Sequence, residues 1–346
     1  MIKPLMILLA CLLIPGMIFN SHAVQGEPVV LKMNHQFPDT TSGSAIDQWF
    51  ADQVALRTTG QVIIKIFWSN GLGEPRDNLS LLKRGVLEMA AMSPGYFPEE
   101  MPLLAAPNAI PMAMDTVCQS SHIMKALLDS VPAIAQEASS QGVKPLFFHP
   151  LNPYLLVTKE PVRRLEDLKG KRIRTWSNEM AALIHSAGGH PVPLFLQDVL
   201  PALGKNIIDG CPFSVDLVKA YGIYKIAPNI TDVILWEGPA WGVWISETAW
   251  GKLAPGFREI MLTTAEAVRE REIPIALEAG RESRDFLKQN GVTFHSFPRQ
   301  DLDRWKAEQP DFFEDFILQM KPLGKQEAAR QMVTLWKAMR MDTTCP

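Results

Sequence analysis

The residue best placed to do chemistry is Arg174, in the run 171–176 of the segment DLKGKRIRTWSNEMAALIHSAGGHPVPL. A guanidinium offers a planar fork of N–H donors that matches the two oxygens of a carboxylate. The chemistry this implies is capture of an organic anion. The bland alternative is a solvated charge on an edge strand. No spacing in the chain specifies a reaction: there is no G-x-S-x-G, no H-E-x-x-H, no Walker loop and no G-x-G-x-x-G, since Gly71-Leu72-Gly73-Glu74-Pro75 fails that pattern. Asp209, Glu237, His149, His185 and His190 fall at no catalytic or metal-binding spacing. The expectation is a binding protein, not an enzyme, with no catalytic residue, metal or cofactor.

The elements around Arg174 read as a βαβ unit. Ile173 sits between charged neighbours, as in a short strand over 171–176. Ser177 can cap a helix over 178–186, Gly188 and Gly189 can end it, and 191–194 begins the next strand. In open α/β sheets ligands lie beyond the carboxyl ends of strands, where helix N-termini favour anions. Upstream, strands over 29–34, 62–67 and 87–92 alternate with helices over 43–57 and 77–84, an order that implies a parallel sheet covered on both faces. Pro94, Pro98, Pro102, Pro107 and Pro111 make the next stretch loop-rich; 112–128 and 132–140 read as helices and 143–148 as extended. The break His149-Pro150-Leu151-Asn152-Pro153 marks a crossover into a second domain, and Gly238-Pro239 a return before a strand over 241–246. A long helix follows over 255–288 with Pro274 as a kink site, then an extended stretch over 291–297 and a helical tail through Met341. Two crossings are what a hinged pair of α/β lobes requires. The division expected is 24–150 with about 239–283 in one lobe, and 151–238 with about 284–346 in the other.

Composition narrows the class. The chain has 346 residues, 47% of them hydrophobic, and a net charge of −3, which argues against nucleic acid as a partner. Residues 1–23 combine Lys3, an apolar stretch and the small-x-small end Ser21-His22-Ala23, the pattern of a secretory signal peptide, so the expected location is the periplasm. Leu8-Leu9-Ala10 before Cys11 resembles a lipidation site, although Cys11 lies inside the apolar core. Beyond the leader, Cys118, Cys211 and Cys345 permit at most one disulfide within the chain and show no zinc-like spacing.

The motifs DLKGKRIRTW, GGHPVPL and IIDG, with VVLKMNHQFP and TTGQVIIKIFWSNGLGEPRDNLSLLKRGVLEMAAMS before them and WISETAWGKLAPGFREIM after, resemble the substrate-binding proteins of TRAP transporters, the DctP family. The resemblance covers most of the chain and implies an α/β, two-lobed periplasmic binding protein fold of type II-like topology. Its mostly parallel mixed sheets would be flanked by helices, with one long helix spanning both lobes. It also implies that Arg174 holds the carboxylate of a solute, and that TRAP membrane subunits driven by an ion gradient receive it. A monomer is expected, with pairing through the long helix as an alternative.

Matched to the family pattern, Asn34, His35, Ser93, Tyr154 and Phe213 face the cleft, with Asn152 at the first crossing. Trp176, two residues past Arg174, would fall beside the carboxylate, and Trp236 and Trp241 cluster with Trp244 at the return crossing. Each also has an ordinary reading as a cap or core residue. Many family members carry a second arginine where Tyr154 stands and an asparagine where Phe213 stands. A dicarboxylate would then bury one charge unpaired. The expected ligand is a monocarboxylate with an apolar or aromatic body: benzoate-like, phenylacetate-like, indole-like, or a branched-chain 2-oxo acid. Two rival partnerships use the same lobes, a membrane sensor and an ABC-type permease.

Overall fold

The computed structural model describes residues 27–342 and 345. The expected signal peptide and Cys11 lie outside the described residues. The chain opens with β1 (Val29–His35), α1 (Ser42–Arg57), β2 (Val62–Phe67), α2 (Asn78–Lys83) and β3 (Met89–Met92). Thr41 caps α1 by accepting from the Ser44 backbone N–H. β1 pairs in parallel with β2 and with β3, as the alternation of strand and helix implied. Then follow α3 (Pro102–Ala109), α4 (Val117–Ser130), α5 (Pro132–Ser140) and β4 (Val143–Pro150).

A second set of elements succeeds these: β5 (Tyr154–Thr158), β6 (Arg172–Thr175), α6 (Asn178–Ser186), β7 (His190–Pro193), α7 (Val199–Gly204), β8 (Gly210–Phe213), α8 (Val215–Ala220) and β9 (Asn229–Trp236). The chain then returns through β10 (Pro239–Ser246) and α9 (Glu247–Lys252) to α10 (Pro255–Gln289), and ends in β11 (Thr293–Ser296), α11 (Arg299–Glu308), α12 (Phe312–Gln319) and α13 (Gln326–Asp342). The first sheet has the order β2-β1-β3-β10-β4 and the second β11-β9-β5-β8-β6-β7. Both are mixed, because β10 runs antiparallel to β3 and β4, and β5 antiparallel to β8 and β9. The result is a two-lobed α/β fold. At 35 residues α10 is about 52 Å long. It packs against α1 and β4 of the first lobe and α8 of the second. Among the described residues no helix is long and apolar enough to cross a membrane.

Two expectations change. The proline-rich stretch contains α3, with Pro102 in its first turn and Pro107 inside it. Seven of its eight residues are buried, so packing outweighs the hydrogen bond that Pro107 forfeits. The helix expected from Met112 begins five residues later, because Met112 has φ of 52° and its N–H bonds the Leu235 carbonyl. Thr116 supplies the cap instead, accepting from the Gln119 N–H.

The tail is fixed to the first lobe's helices. α13 packs on α4, Cys118 and Cys345 form a disulfide, and Arg340 pairs with Asp115 at 2.8 Å. Lys325 also pairs with the buried Glu137 at 2.6 Å, and that carboxylate in turn accepts the N–H groups of Leu103 and Leu104 at the start of α3. The tail from α13 onward, expected with the second lobe, lies against the first.

Candidate functional site

Arg174 lies on β6, held between β7 and β8, with Ser177 capping α6 by accepting from the Met180 N–H. The side chain is 2% exposed, and its Nε donates to the Leu194 carbonyl at 3.2 Å. Arg172, two residues earlier, is neutralised by Asp209 through Nε at 3.0 Å and Nη2 at 2.7 Å. This hydrogen-bonded pairing pulls the Asp209 carboxyl down to about 2. Arg174 forms no ion pair with any carboxylate among the described residues. Its cationic face lies over the Trp176 ring, 4.7 Å from the centroid. A buried charge without a counter-ion is costly, and an anion beside the guanidinium would lower that cost.

It opens onto a cavity of about 30 Å³ between the lobes. The first lobe contributes Gln36, Phe37, Ser93, Tyr96 and Asn108, and the second Tyr154, Trp176, Leu196 and Trp236. Burial pushes the phenols of Tyr96 and Tyr154 up, against the opposing pull of Arg174, so both stay neutral hydroxyls. The ring of Tyr154 meets Trp236 at 4.9 Å and Trp176 at 5.7 Å, both edge-on. Across the mouth, the Trp176 Nε1–H donates to the Asn108 carbonyl at 3.0 Å and the Ser177 hydroxyl to the Ala109 carbonyl at 3.0 Å. Tyr96 meets Phe195 at 5.0 Å. These contacts hold the lobes together.

Of the residues read from the sequence, Ser93, Tyr154, Arg174, Trp176 and Trp236 come together here; Asn34, His35, Asn152, Phe213 and Trp241 do not line the cavity. Asn34 ties a loop, donating to Gly73 O and Asn78 Oδ1 and accepting from the Leu72 N–H. Asn152 donates to the Ala276 carbonyl of α10 at 2.7 Å. Phe213 is fully buried 5.8 Å from Tyr154. Gln36, Phe37, Tyr96, Asn108 and Leu196 were not foreseen. Gln36 and Phe37 directly follow β1, and Tyr96 follows Ser93-Pro94-Gly95 at the end of β3, positions that strand ends alone point to.

His35 and Trp241 belong instead to a buried polar cluster beneath the cleft. Asp47 of α1 accepts from His35 Nε2 at 2.7 Å, His149 Nε2 at 2.8 Å and Trp241 Nε1 at 3.3 Å. His149 reaches Glu272 of α10 through Nδ1, and its ring stacks on Trp241 at 4.4 Å. Burial alone would lower the His149 pKa, but the carboxylates of Asp47 and Glu272 outweigh it and raise it to about 10. Burial opposes the charge of Asp47 as well, yet its histidine partners bring it down to about 2. Glu272 is raised, since its one partner does not offset burial. We place the negative charge on Asp47, which has three donors. Among the described residues no group of three or more His, Cys, Asp or Glu side chains is arranged to hold a metal.

Residues 33–318 match the sequence profile of the bacterial extracellular solute-binding proteins, family 7 (DctP). The ectoine-binding periplasmic protein TeaA of Halomonas elongata is 24% identical over 289 residues, 81% of this chain and 82% of its own. A marine metagenome TRAP solute-binding protein specific for aromatic acid ligands, solved with metahydroxyphenylacetate, superposes with a TM-score of 0.80 at 19% identity, over 91% of this chain and 99% of that one. A Bordetella pertussis extracytoplasmic solute receptor binding pyroglutamic acid gives 0.78 at 22% identity, over 89% and 99%. The profile match spans both lobes and the Arg174 strand, and on that ground the chain belongs to the family 7 (DctP) bacterial extracellular solute-binding proteins.

Proposed function

We propose that this protein captures a monocarboxylate with an apolar or aromatic body between its lobes in the periplasm and delivers it to TRAP membrane subunits. The observation that carries the reading is Arg174, a buried guanidinium without a protein counter-ion and the one basic side chain lining the cavity among the described residues. Phe37, Tyr96, Tyr154, Trp176 and Trp236 make the remaining wall largely aromatic. The similar structure specific for aromatic acids supports the same chemistry. A signal peptide over residues 1–23 would direct export.

The cavity of about 30 Å³ is far smaller than the roughly 150 Å³ that admits benzene. The lobes must therefore part to admit a ring, and binding biases them toward closure. In this reading one lobe comprises 27–150 with about 239–283 and also takes α13, and the other comprises 151–238 with β11 and α11. The test is a thermal-shift screen of residues 24–346 against aromatic, branched-chain and dicarboxylic acids. A monocarboxylate should raise Tm in wild type, since a ligand stabilises by RT ln(1 + [L]/Kd), and the rise should vanish in Arg174→Ala. Stabilisation by dicarboxylates alone, or a shift that survives Arg174→Ala, would refute the proposal.

A further inference from the structure

Three side chains that line the cavity have polar atoms without a hydrogen-bond partner in the protein: Trp236 Nε1, Ser93 Oγ and Gln36 Oε1. The residues are 1%, 3% and 7% exposed. A hydroxyl or an amide can rotate to donate or accept, but an indole N–H can only donate. Left unmet in a buried place, it costs free energy that an acceptor would restore. Trp336 in the core has the same unmet Nε1, so an unpartnered indole is not by itself a site. Trp236 differs in sharing its cavity with two further unmet groups and an uncountered guanidinium. Arg174 lies 4.7 Å from the Trp176 ring centre, and that ring lies 5.7 Å from the Trp236 ring, so the guanidinium and the Trp236 indole flank the same side chain.

We infer that the ligand carries, besides its carboxylate, a neutral oxygen, either hydroxyl or oxo, which accepts from Trp236 Nε1 and exchanges hydrogen bonds with Ser93 and Gln36. The inference rests on the monocarboxylate reading and narrows it from acids with plain hydrocarbon bodies to hydroxy and oxo acids. A second carboxylate would supply the acceptor too, but no second basic side chain among the described residues lines the cavity to meet its charge.

The experiment is isothermal titration calorimetry with acids that differ by one oxygen. Phenylacetate is compared with mandelate and ring-hydroxylated phenylacetates, and 3-methylbutanoate with its 2-hydroxy and 2-oxo derivatives. In at least one series the oxygenated acid should bind wild type about tenfold or more tighter than its parent. Trp236→Phe, which removes the N–H, should erase that ratio, and Ser93→Ala should reduce it. All binding should vanish in Arg174→Ala. Equal affinity within every series, or a ratio that survives both Trp236→Phe and Ser93→Ala, overturns the inference and leaves the monocarboxylate reading standing. If no acid binds wild type, or binding survives Arg174→Ala, that reading falls and the inference with it.

Discussion

Asp47→Asn should be among the most destabilising polar substitutions in this protein, and the loss should depend on pH. The substitution keeps the shape but removes the charge that meets His149, and places an amide where three N–H groups of His35, His149 and Trp241 converge. His149 titrates at about 10 in the folded protein against 6.5 ordinarily, a difference worth about 5 kcal/mol and shared with Glu272. The drop of Asp47 from 3.8 to about 2 describes the same contacts from the other side, at about 2 kcal/mol, and is not added. Removing one partner of such a buried pair costs about 3–5 kcal/mol. At about 2 °C per kcal/mol for a chain of this size, Tm should fall by about 6–10 °C.

Because the His149 pKa is raised, its contribution is complete below pH 6.5 and is lost as pH rises through about 10. Asp47 is depressed, so its contribution is complete above pH 3.8 and is lost as pH falls through about 2. Wild type should therefore be most stable between about pH 4 and 6.5, with the gap to Asp47→Asn narrowing toward pH 9. Differential scanning calorimetry of both proteins without ligand at pH 5, 7 and 9 measures this. A drop under about 2 °C at pH 5, or an equal gap at pH 5 and 9, would show that the cluster does not hold the charges we assign.

Cys345→Ser, which opens the disulfide to Cys118, should lower stability by about 2–4 kcal/mol, read by chemical denaturation. The thiol of Cys211, buried and pushed up to about 12, should react with Ellman's reagent only on unfolding; prompt reaction in the native protein would contradict its burial. Tyr154→Arg would bury a second cation near Arg174, so the unliganded Tm should fall and a dicarboxylate such as succinate should become a better stabiliser than in wild type. No change in preference would place Tyr154 away from the ligand. Gly43→Ala would drive a methyl into the fully buried Trp241 ring, so a loss of about 1–3 kcal/mol with altered tryptophan fluorescence is expected. An unchanged Tm would mean that the ring yields freely.

Local structure was legible wherever local signals set it. The strand over Val62–Phe67 and the helices over Pro132–Ser140 and Asn178–Ser186 have the bounds that periodicity, proline and the Ser177 cap imply. α3 escaped because proline punctuation is a local cue, whereas its formation depends on being buried on nearly every side. In the candidate site, strand-end position pointed to Arg174 and, with the family pattern, to Ser93, while the first crossing with that pattern pointed to Tyr154. These cues could not separate residues facing the cleft from those turned inward. What turned His35 inward is Asp47, twelve positions away, and what occupies Asn152 is a carbonyl of α10, 124 positions away. Such partners are set by tertiary packing and leave no mark on the neighbouring sequence.

The place of β10 in the first sheet bears on how the chain is made. β4 joins that sheet only through β10, and β10 is not available until residues 239–246 exist, after the whole of β5 to β9. While the ribosome is still extending the chain, β3 and β4 each lack a neighbour, and the sheet that frames half of the cleft cannot close. This order delays completion of the first sheet until β5 to β9 and then β10 have been made. The same two open edges are where a stalled or truncated chain would seek another strand, so aggregation of fragments ending before residue 239 is the cost of that arrangement.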